Sequence, residues 1–190
     1  MSSTTPPRTL ALVGMPGAGK TLCATYLEQQ GYYQFRFGSI VTDEVERRGQ
    51  PLTPDNEKVV REEFRINEGM DVMAKRALPY LENAMTTHQT VVIDGLYSFS
   101  EYKTLRKAYG DSMVVVAIFA PRKMRYERLS NRPIRPLTPE QARQRDWQEI
   151  EIIEKGGPIA IADYTLVNDT TSDALLAKLD ALLNELGMKP

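Results

Sequence analysis

Five short runs of apolar or aromatic residues alternate with helical stretches along the chain. The runs cover residues 8–13 (RTLALV), 32–37 (YYQFRF), 90–93 (TVVI), 113–119 (MVVVAIF) and 164–167 (YTLV). Continuous apolar runs of this length are typical of strands that a parallel sheet buries on both faces. Strands that alternate with helices predict an α/β protein in which helices cover both faces of one sheet.

Helix signals fill the intervals between these runs. Helices are predicted at residues 21–30, 38–48, 54–67, 71–85, 98–110, 122–129 and 139–155, followed by a closing helix with leucines at 175, 179, 182 and 186. Ser98 with Glu101, and Thr138 with Gln141, have the spacing of a capping box. The helix after Thr138 is mostly polar, so we expect it to be largely exposed. Three helices without an intervening strand make residues 38–85 a helical insertion.

The interval between the first strand and the first helix carries a complete phosphate-binding loop motif. The matching residues are Gly14, Met15, Pro16, Gly17, Ala18, Gly19, Lys20 and Thr21, which fit G-x-x-x-x-G-K-[ST]. The backbone N–H groups of such a loop and the N-terminus of the following helix bind phosphate. We therefore predict ATP and Mg²⁺ as cofactors, with Lys20 at the β- and γ-phosphates and the Thr21 hydroxyl on the metal.

Asp94 stands directly after the apolar strand at residues 90–93. An aspartate in this position is typical of the second nucleotide-binding motif, in which the carboxylate orients Mg²⁺. The alternative is an acid that only caps the end of its strand. Because the phosphate loop is also present, we predict that Asp94 acts on the metal.

Residues 121–136 form a basic segment with a net charge of +5. Within it, Arg125, Arg128 and Arg132 are spaced at i, i+3 and i+7, so they should share one helix face opposite Leu129. A basic face that only contacts solvent is the alternative. The concentration of positive charge in one part of a nearly neutral chain favours anion binding, with Arg128 assigned to the nucleotide.

A short lid is predicted at residues 131–140, where two prolines stiffen the segment that contains Arg132 and Arg135. Arginine suits phosphoryl transfer because its planar fork can hold the oxygens of the transferring group. Both arginines are therefore predicted to be catalytic.

Arg61 and Arg65, four residues apart in the insertion, are candidates for binding the anionic end of an acceptor, although pairing with acidic helix neighbours is the alternative.

Composition limits the class of protein. The 190 residues are 42% hydrophobic and 26% charged, with a net charge of −1. This balance predicts a single globular domain at residues 8–190 that binds neither nucleic acid nor a membrane, as a monomer or homodimer. Cys23, the only cysteine, is predicted to be a packing residue. Residues 1–7 lack the apolar core of a signal peptide, so we expect a disordered tail on a cytoplasmic protein.

The chain resembles P-loop nucleotide kinases. It is similar to adenylate kinase and, in its second half, to dephospho-coenzyme A kinase, and the resemblance is strongest to a mainly archaeal family of adenylate-kinase-related P-loop ATPases. The stretches that carry the resemblance are residues 13–20 (VGMPGAGK), 48–54 (RGQPLTP), 91–95 (VVIDG) and 162–168 (ADYTLVN). Only the last and the second of these point to the narrower family, because the phosphate loop is common to the whole superfamily.

The resemblance implies a three-layer P-loop NTPase fold with a five-stranded parallel sheet in the order 2-3-1-4-5. It also implies a mobile lid, adenine near the loop after Asn168, and an acceptor held by the insertion at residues 38–85. The sequence departs from these kinases at Ser98 and at Gly38 with Ser39. Because these are positions on the acceptor side, Gly38 and Ser39 are candidate acceptor residues and the identity of the acceptor stays open.

The leading hypothesis is ATP-dependent phosphoryl transfer to a nucleotide-type acceptor, a small molecule with an anionic group. Activity like that of dephospho-coenzyme A kinase, or transfer to a sugar or a shikimate-like acceptor, is an alternative. Another is a regulatory adenine-nucleotide ATPase without a small acceptor. A GTPase switch is disfavoured because the chain lacks Asn-Lys-x-Asp.

Overall fold

A five-stranded parallel sheet lies at the centre of the fold. The computed structural model describes residues 8–190, so the tail predicted at residues 1–7 lies outside the described residues. The strands are β1 (Arg8–Val13), β2 (Tyr33–Arg36), β3 (Thr90–Asp94), β4 (Met113–Phe119) and β5 (Tyr164–Val167). Their order is β2-β3-β1-β4-β5, and every pair is parallel, which confirms the predicted topology.

Helices follow the strands in the predicted sequence. They are α1 (Lys20–Gln29), α2 (Phe37–Arg47), α3 (Pro54–Glu68), α4 (Val72–Ala84), α5 (Phe99–Tyr109), α6 (Arg122–Asn131), α7 (Pro139–Glu151), α8 (Gly156–Ala160) and α9 (Ser172–Leu186), with a 3₁₀ turn at Gly110–Ser112. Both predicted capping boxes are present, at Ser98 and at Thr138. The helix boundaries therefore follow local side-chain chemistry that the sequence already displays.

The prediction of one helix from residue 139 to about 155 was wrong in its last turn, residues 152–155. α7 ends at Glu151, and Glu154 has a positive φ of 60°, which interrupts the helix. The short helix α8 then packs so closely that a Cβ on Gly157 would lie 2.8 Å from the Phe99 side chain. Glycines and a proline are poor helix formers, so tertiary contact rather than propensity explains α8.

The sheet separates two apolar cores because successive side chains of a strand point to opposite faces. In β1, Ala11 and Val13 belong to the core under α2 to α5, whereas Leu10 and Leu12 belong to the core under α1 and α9. Cys23 is buried in the second core, as predicted for a packing residue. Within residues 8–190, neither core contains a buried residue of α6 or α7, so these two helices are held to the body by other contacts.

The insertion is part of the main domain. Val45 of α2, Val60 and Phe64 of α3 and Leu81 of α4 are buried in the same core as the sheet residues. The helices of the insertion thus have a fixed position relative to β2 and β3. None of the helices within residues 8–190 combines the length and the apolar character that crossing a bilayer requires.

Candidate active site

The carboxyl ends of the strands bring the chemistry-bearing residues to one edge of the sheet. Leu12, two residues before the phosphate loop, pairs with Asp94, and Arg36 of β2 pairs with Asp94 from the other side. Phe119 pairs with Val167, which places Asn168 at the same edge. Ligands of parallel α/β sheets bind at this edge. The fold therefore gathers the predicted nucleotide residues in one place.

The phosphate loop is packed from two sides. Gly17 has φ 77° and Gly19 has φ 116°, values in the left-handed region that favours glycine. A Cβ would lie 2.7 Å from the Arg125 carbonyl oxygen at Gly17, and 2.5 Å from the side-chain nitrogen of Asn168 at Gly19. Both glycines are therefore required by the close approach of α6 and Asn168, in addition to the space that a phosphate needs.

Lys20 lies at the start of α1 and turns back over the loop. Its Nζ donates hydrogen bonds to the carbonyl oxygens of Gly14 at 2.6 Å and Met15 at 3.3 Å. Burial, with the charge of Lys155 as the second cause, lowers the pKa of the Lys20 ammonium to about 7. The charges of Glu149 and Asp94 oppose this decrease. A lysine in this setting gains its full charge when an anion is placed beside it.

Nucleotide binding should therefore take up a proton. Because phosphates raise the pKa of Lys20 from about 7, we expect an uptake of up to about one proton per MgADP at pH 8. Calorimetric titrations in HEPES and in Tris, whose ionisation enthalpies differ, measure this number directly. The Lys20→Met variant is the control, in which the buffer dependence should be largely lost. An equal heat in both buffers for the unsubstituted protein would contradict the assignment.

Asp94 and Thr21 form the candidate magnesium site. Asp94 is half-buried at the end of β3, and burial raises the pKa of its carboxyl group while Arg36 and Lys20 oppose the increase. Thr21 is exposed in the first turn of α1. Within residues 8–190, no group of three or more histidine, cysteine or acidic side chains could hold a metal by itself. This sparse oxygen set fits Mg²⁺, which keeps waters and takes phosphate oxygens as ligands.

A cleft of about 700 Å³ lies next to the loop. The cleft is lined by residues of the loop and α1, of α6 and the segment after it, and of the loop after β5, among them Gly19, Lys20, Thr21, Arg128, Arg132 and Asn168. Arg128 Nη2 donates to the backbone and side-chain oxygens of Asn168, at 3.2 and 3.3 Å, whereas its Nη1 is buried without a partner among the described residues. The Asn168 amide in turn donates to the carbonyl oxygen of Ala18 at 2.7 Å. The structure thus brings Arg128 and Asn168 together at the loop; their contact with adenine nucleotide stays a prediction.

Arg125 does not share the environment of Arg128 and Arg132, which corrects the prediction of one basic face. Its side chain is buried and forms a bidentate ion pair with Asp146 of α7. Leu129, expected on the opposite side, is also buried and lines the nucleotide cleft. The helical spacing was correct, but α6 is covered on more than one side by the phosphate loop and α7.

The segment between α6 and α7, where a lid was predicted at residues 131–140, comprises residues 132–138 and is called the lid segment below. Arg132 lines the cleft, and its Nε donates to the Arg135 carbonyl oxygen at 2.5 Å. Burial and the charges of Arg145 and Arg135 lower the pKa of Arg132. Arg135 has a positive φ of 53° and an exposed side chain outside this cleft. Catalytic roles for both arginines stay predictions.

The candidate acceptor residues are dispersed. Ser39 donates from Oγ to the Arg36 carbonyl oxygen at 2.8 Å and lines a separate cleft of about 430 Å³ between α2 and α4. Gly38 is exposed beside it. Arg61 lies 3.9 Å from Glu57, as helix-surface pairing predicts, whereas Arg65 is half-buried and its Nε has no partner within residues 8–190. Of the two arginines, Arg65 is thus the one whose environment differs from an ordinary helix surface.

Sequence reasoning missed a buried ion pair beside Lys20. Lys155, 2% exposed, pairs with Glu149 of α7, and its Nζ lies 4.5 Å from the centroid of the Tyr97 ring. Burial lowers the pKa of Lys155. Arg145 also contacts Glu149, at 3.2 Å. The available signal was the i, i+4, i+7 spacing of Ala142, Asp146 and Glu149, which places all three on the inner face of a helix expected to be exposed.

The fold and the loop define a P-loop nucleotide-binding protein of the kinase type. The chain belongs to the UPF0200 family, whose matched members are archaeal, and carries an AAA domain, whose family profile matches residues 10–152. A UPF0200 protein of Thermococcus sibiricus is 32% identical over 183 residues, 95% of this chain and 96% of that protein. A second, from Thermococcus kodakarensis, is 35% identical over 92% of this chain and 96% of the relative.

Solved structures share the same architecture at low sequence identity. TT1252 from Thermus thermophilus superposes with a TM-score of 0.65 at 20% identity, covering 96% of this chain and 99% of that one. A gluconokinase from Sinorhizobium meliloti has a TM-score of 0.57 at 15% identity, covering 95% and 94%. Shikimate kinase from Acinetobacter baumannii, solved with shikimate, has a TM-score of 0.56 at 18% sequence identity, and the match covers 94% of this chain and 95% of that one. These similarities establish the kinase-type fold.

Proposed function

We propose that this protein transfers the γ-phosphoryl group of ATP to a small nucleotide-type acceptor that carries an anionic group. The observation that carries this proposal is the position of Asp94 between two cations, Lys20 of α1 and Arg36 of β2. Lys20 follows β1 on one side, and Arg36 of β2 pairs in register with Asp94 on the other. Because β2 lies beyond β3 from the phosphate loop, Arg36 stands on the side of Asp94 away from the loop, where we propose that the acceptor binds; its guanidinium pairs there with Glu28 at 3.2 Å.

Further positive charge supports an anionic acceptor. Lys155 is close enough to affect the pKa values of both Lys20 and Asp94. Arg65, whose buried Nε has no partner in the described part of the chain, lies near the carboxyl group of Glu101 in α5 and the hydroxyl of Tyr97 in the preceding loop. Guanidinium groups match the oxygens of a phosphate or carboxylate, whereas a neutral sugar is better served by carboxylates and amides.

Each group has a defined role in the proposed reaction. The backbone N–H groups of Gly17, Gly19 and Lys20 hold the phosphates of the donor, and the Lys20 side chain turns from the Gly14 carbonyl to the transferring oxygens. Thr21 and Asp94 hold or orient Mg²⁺, which neutralises phosphate charge when it is bound. Arg132 stabilises charge that develops during transfer, because preorganised donors act most strongly in a site that excludes water.

Arg132→Ala should lower turnover more than it lowers ATP affinity. The guanidinium is on the lid segment and bonds to a backbone oxygen, so its contact with phosphate depends on lid closure. The measurement compares kcat with the dissociation constant of MgADP. Arg122→Ala, at an exposed position at the start of α6, is the control. Equal losses in affinity and turnover would indicate a plain anion-binding residue.

Two kinds of acceptor compete with a nucleoside monophosphate. The similarity of the second half of the chain to dephospho-coenzyme A kinase favours dephospho-coenzyme A as the acceptor. The fold similarity to a gluconokinase and a shikimate kinase favours a hydroxy acid, which would also present an anion to Arg36 and Lys155. We place the nucleoside monophosphate first because α2 to α4 build a helical insertion between β2 and β3, where nucleoside monophosphate kinases hold their acceptor.

A coupled ADP-release assay tests the proposal. Nucleoside and deoxynucleoside monophosphates, dephospho-coenzyme A, gluconate, shikimate and two neutral sugars are compared, with Lys20→Met as the inactive control. We expect stimulation by an anionic acceptor only. Stimulation restricted to a neutral sugar would overturn the argument from Arg36 and Lys155. Steady hydrolysis of ATP that no acceptor stimulates would instead support the regulatory ATPase.

A further inference from the structure

A buried ion pair connects the phosphate loop to both helices that flank the lid. Arg125 of α6 and Asp146 of α7 are 7% and 6% exposed. Arg125 Nη1 donates to Asp146 Oδ1 at 2.9 Å, and Nη2 donates to Asp146 Oδ2 at 2.6 Å. The same Nη1 also donates to the carbonyl oxygen of Pro16 at 2.9 Å. One guanidinium thus joins two helices and the loop.

The Arg125 guanidinium is hydrogen-bonded to the phosphate loop at the peptide that joins Pro16 to Gly17. Pro16 precedes Gly17, whose backbone approaches the Arg125 carbonyl so closely that a Cβ would lie 2.7 Å from that oxygen. The Arg125 side chain therefore fixes the orientation of the Pro16–Gly17 peptide, and the Arg125 carbonyl leaves no room for a side chain on Gly17. The N–H groups of Gly17 and Gly19 depend on these peptide orientations for their direction toward a phosphate.

The pair adds a polar contact to two helices that bury few apolar residues: among the described residues these are Leu129 of α6 and Ala142 of α7. In the part of the chain that the structure describes, neither apolar core contains a buried residue of α6 or α7. Asp146 additionally accepts from the Tyr126 hydroxyl at 3.2 Å, so its carboxylate is shared within the helix pair. A buried ion pair contributes little net stability compared with apolar residues of the same size, because both charges lose their hydration. A role in geometry explains its position better than a role in stability.

We infer that Arg125 and Asp146 are positioning residues of the nucleotide site. Asp146 orients the Arg125 guanidinium, which holds the Pro16 carbonyl and keeps the loop N–H groups directed at the phosphates. Because the two residues lie on the helices before and after the lid segment, both ends of that segment keep a fixed position relative to the loop, while its middle remains free to close. This inference rests on the proposed function only in requiring that the loop binds nucleotide, and not on the identity of any acceptor.

The test separates position from stability. The double variant Arg125→Met with Asp146→Leu removes both charges and keeps the volume, so no buried charge is left unpaired. We expect its MgADP affinity to fall about tenfold, with a melting temperature close to that of the unsubstituted protein. The ¹H–¹⁵N amide signals of Gly17 and Gly19 should shift without nucleotide. Unchanged glycine signals with unchanged affinity would overturn the inference.

A further variant, Arg125→Lys, separates the geometry of the guanidinium from its charge. Arg125→Lys retains a charge opposite Asp146 but lacks the fork that reaches Pro16 as well, so it should fold and still bind MgADP several-fold more weakly. Affinity equal to that of the unsubstituted protein in Arg125→Lys would overturn the inference even if the double variant does not fold. The control is Arg143→Met with Glu140→Leu, an exposed pair of 2.7 Å on the same helix, which should change nothing.

The outcomes also distinguish this inference from the proposed function. MgADP binding that depends on Arg125, without transfer to any acceptor, would support the inference and contradict the proposed kinase. If the protein transfers phosphoryl to an acceptor and its MgADP affinity does not depend on Arg125, the proposed kinase is supported and the inference about Arg125 is contradicted. Failure of the unsubstituted protein to bind MgADP would overturn both.

Discussion

Lys20→Met is expected to lower the rate of phosphoryl transfer by about 10²- to 10³-fold, the loss typical of one preorganised electrostatic donor. The same variant should be more stable than the unsubstituted protein without nucleotide. Lys20 lies directly over the loop, where it is hydrogen-bonded to the carbonyl oxygens of Gly14 and Met15. Its charge is disfavoured by burial and by Lys155, so an apolar side chain relieves an electrostatic cost.

The pH dependence of stability gives an independent measure of this effect. The pKa of Lys20 is about 7 in the folded protein, against 10.5 in its unperturbed state. Between these values the unfolded chain binds more protons, so the free energy of unfolding rises with pH. Urea unfolding at pH 7 and pH 9 should show a smaller rise in Lys20→Met. Lys58→Met, at an exposed lysine of α3, is the control for both measurements. Activity within tenfold of the unsubstituted protein would refute the role of Lys20.

Asp94→Asn is expected to raise the Mg²⁺ concentration for half-maximal activity by about 10- to 100-fold, as the loss of a residue that orients metal ligands typically does. Binding of nucleotide itself should change less, because the phosphate loop and Lys20 remain. A magnesium titration at fixed ATP and a fixed saturating acceptor measures the shift. Asp111→Asn, an exposed aspartate in the 3₁₀ turn, is the control. An unchanged magnesium requirement would mean that Asp94 only caps β3.

Local chemistry was enough for the sequence to predict most of the elements and the position of the phosphate-binding loop in the fold. The capping residues Ser98 and Thr138 act within three residues, so their helices begin where the pattern indicates. The phosphate loop is likewise a local motif, and the alternation of strands and helices favours a parallel sheet. The order of the strands came from the resemblance, and the pairings of β1 with β3 and β4 confirm it.

The acceptor side was less predictable because it depends on contacts between distant segments. Ser39 and Arg65 belong to one insertion, yet one lines an outer cleft and the other is half-buried near Tyr97. Arg36 was not singled out from the sequence, since only the pairing of β2 with β3 sets it against Asp94. The register between two strands depends on both of them, so the residue of β2 that lies beside Asp94 cannot be predicted from the pattern of one strand alone.

The sequence by itself determined the phosphate-loop motif and its place between β1 and α1, and the tertiary structure decided which charges surround the loop. The mostly polar composition of α7 predicted a largely exposed helix, and ten of its thirteen residues are exposed, but Ala142, Asp146 and Glu149 form one buried face. The face is buried because Arg125, 21 residues before Asp146, and Lys155, after the helix break, supply opposite charges. Burying an acid is tolerated only when a partner neutralises it, and the partner is chosen by folding rather than by sequence proximity.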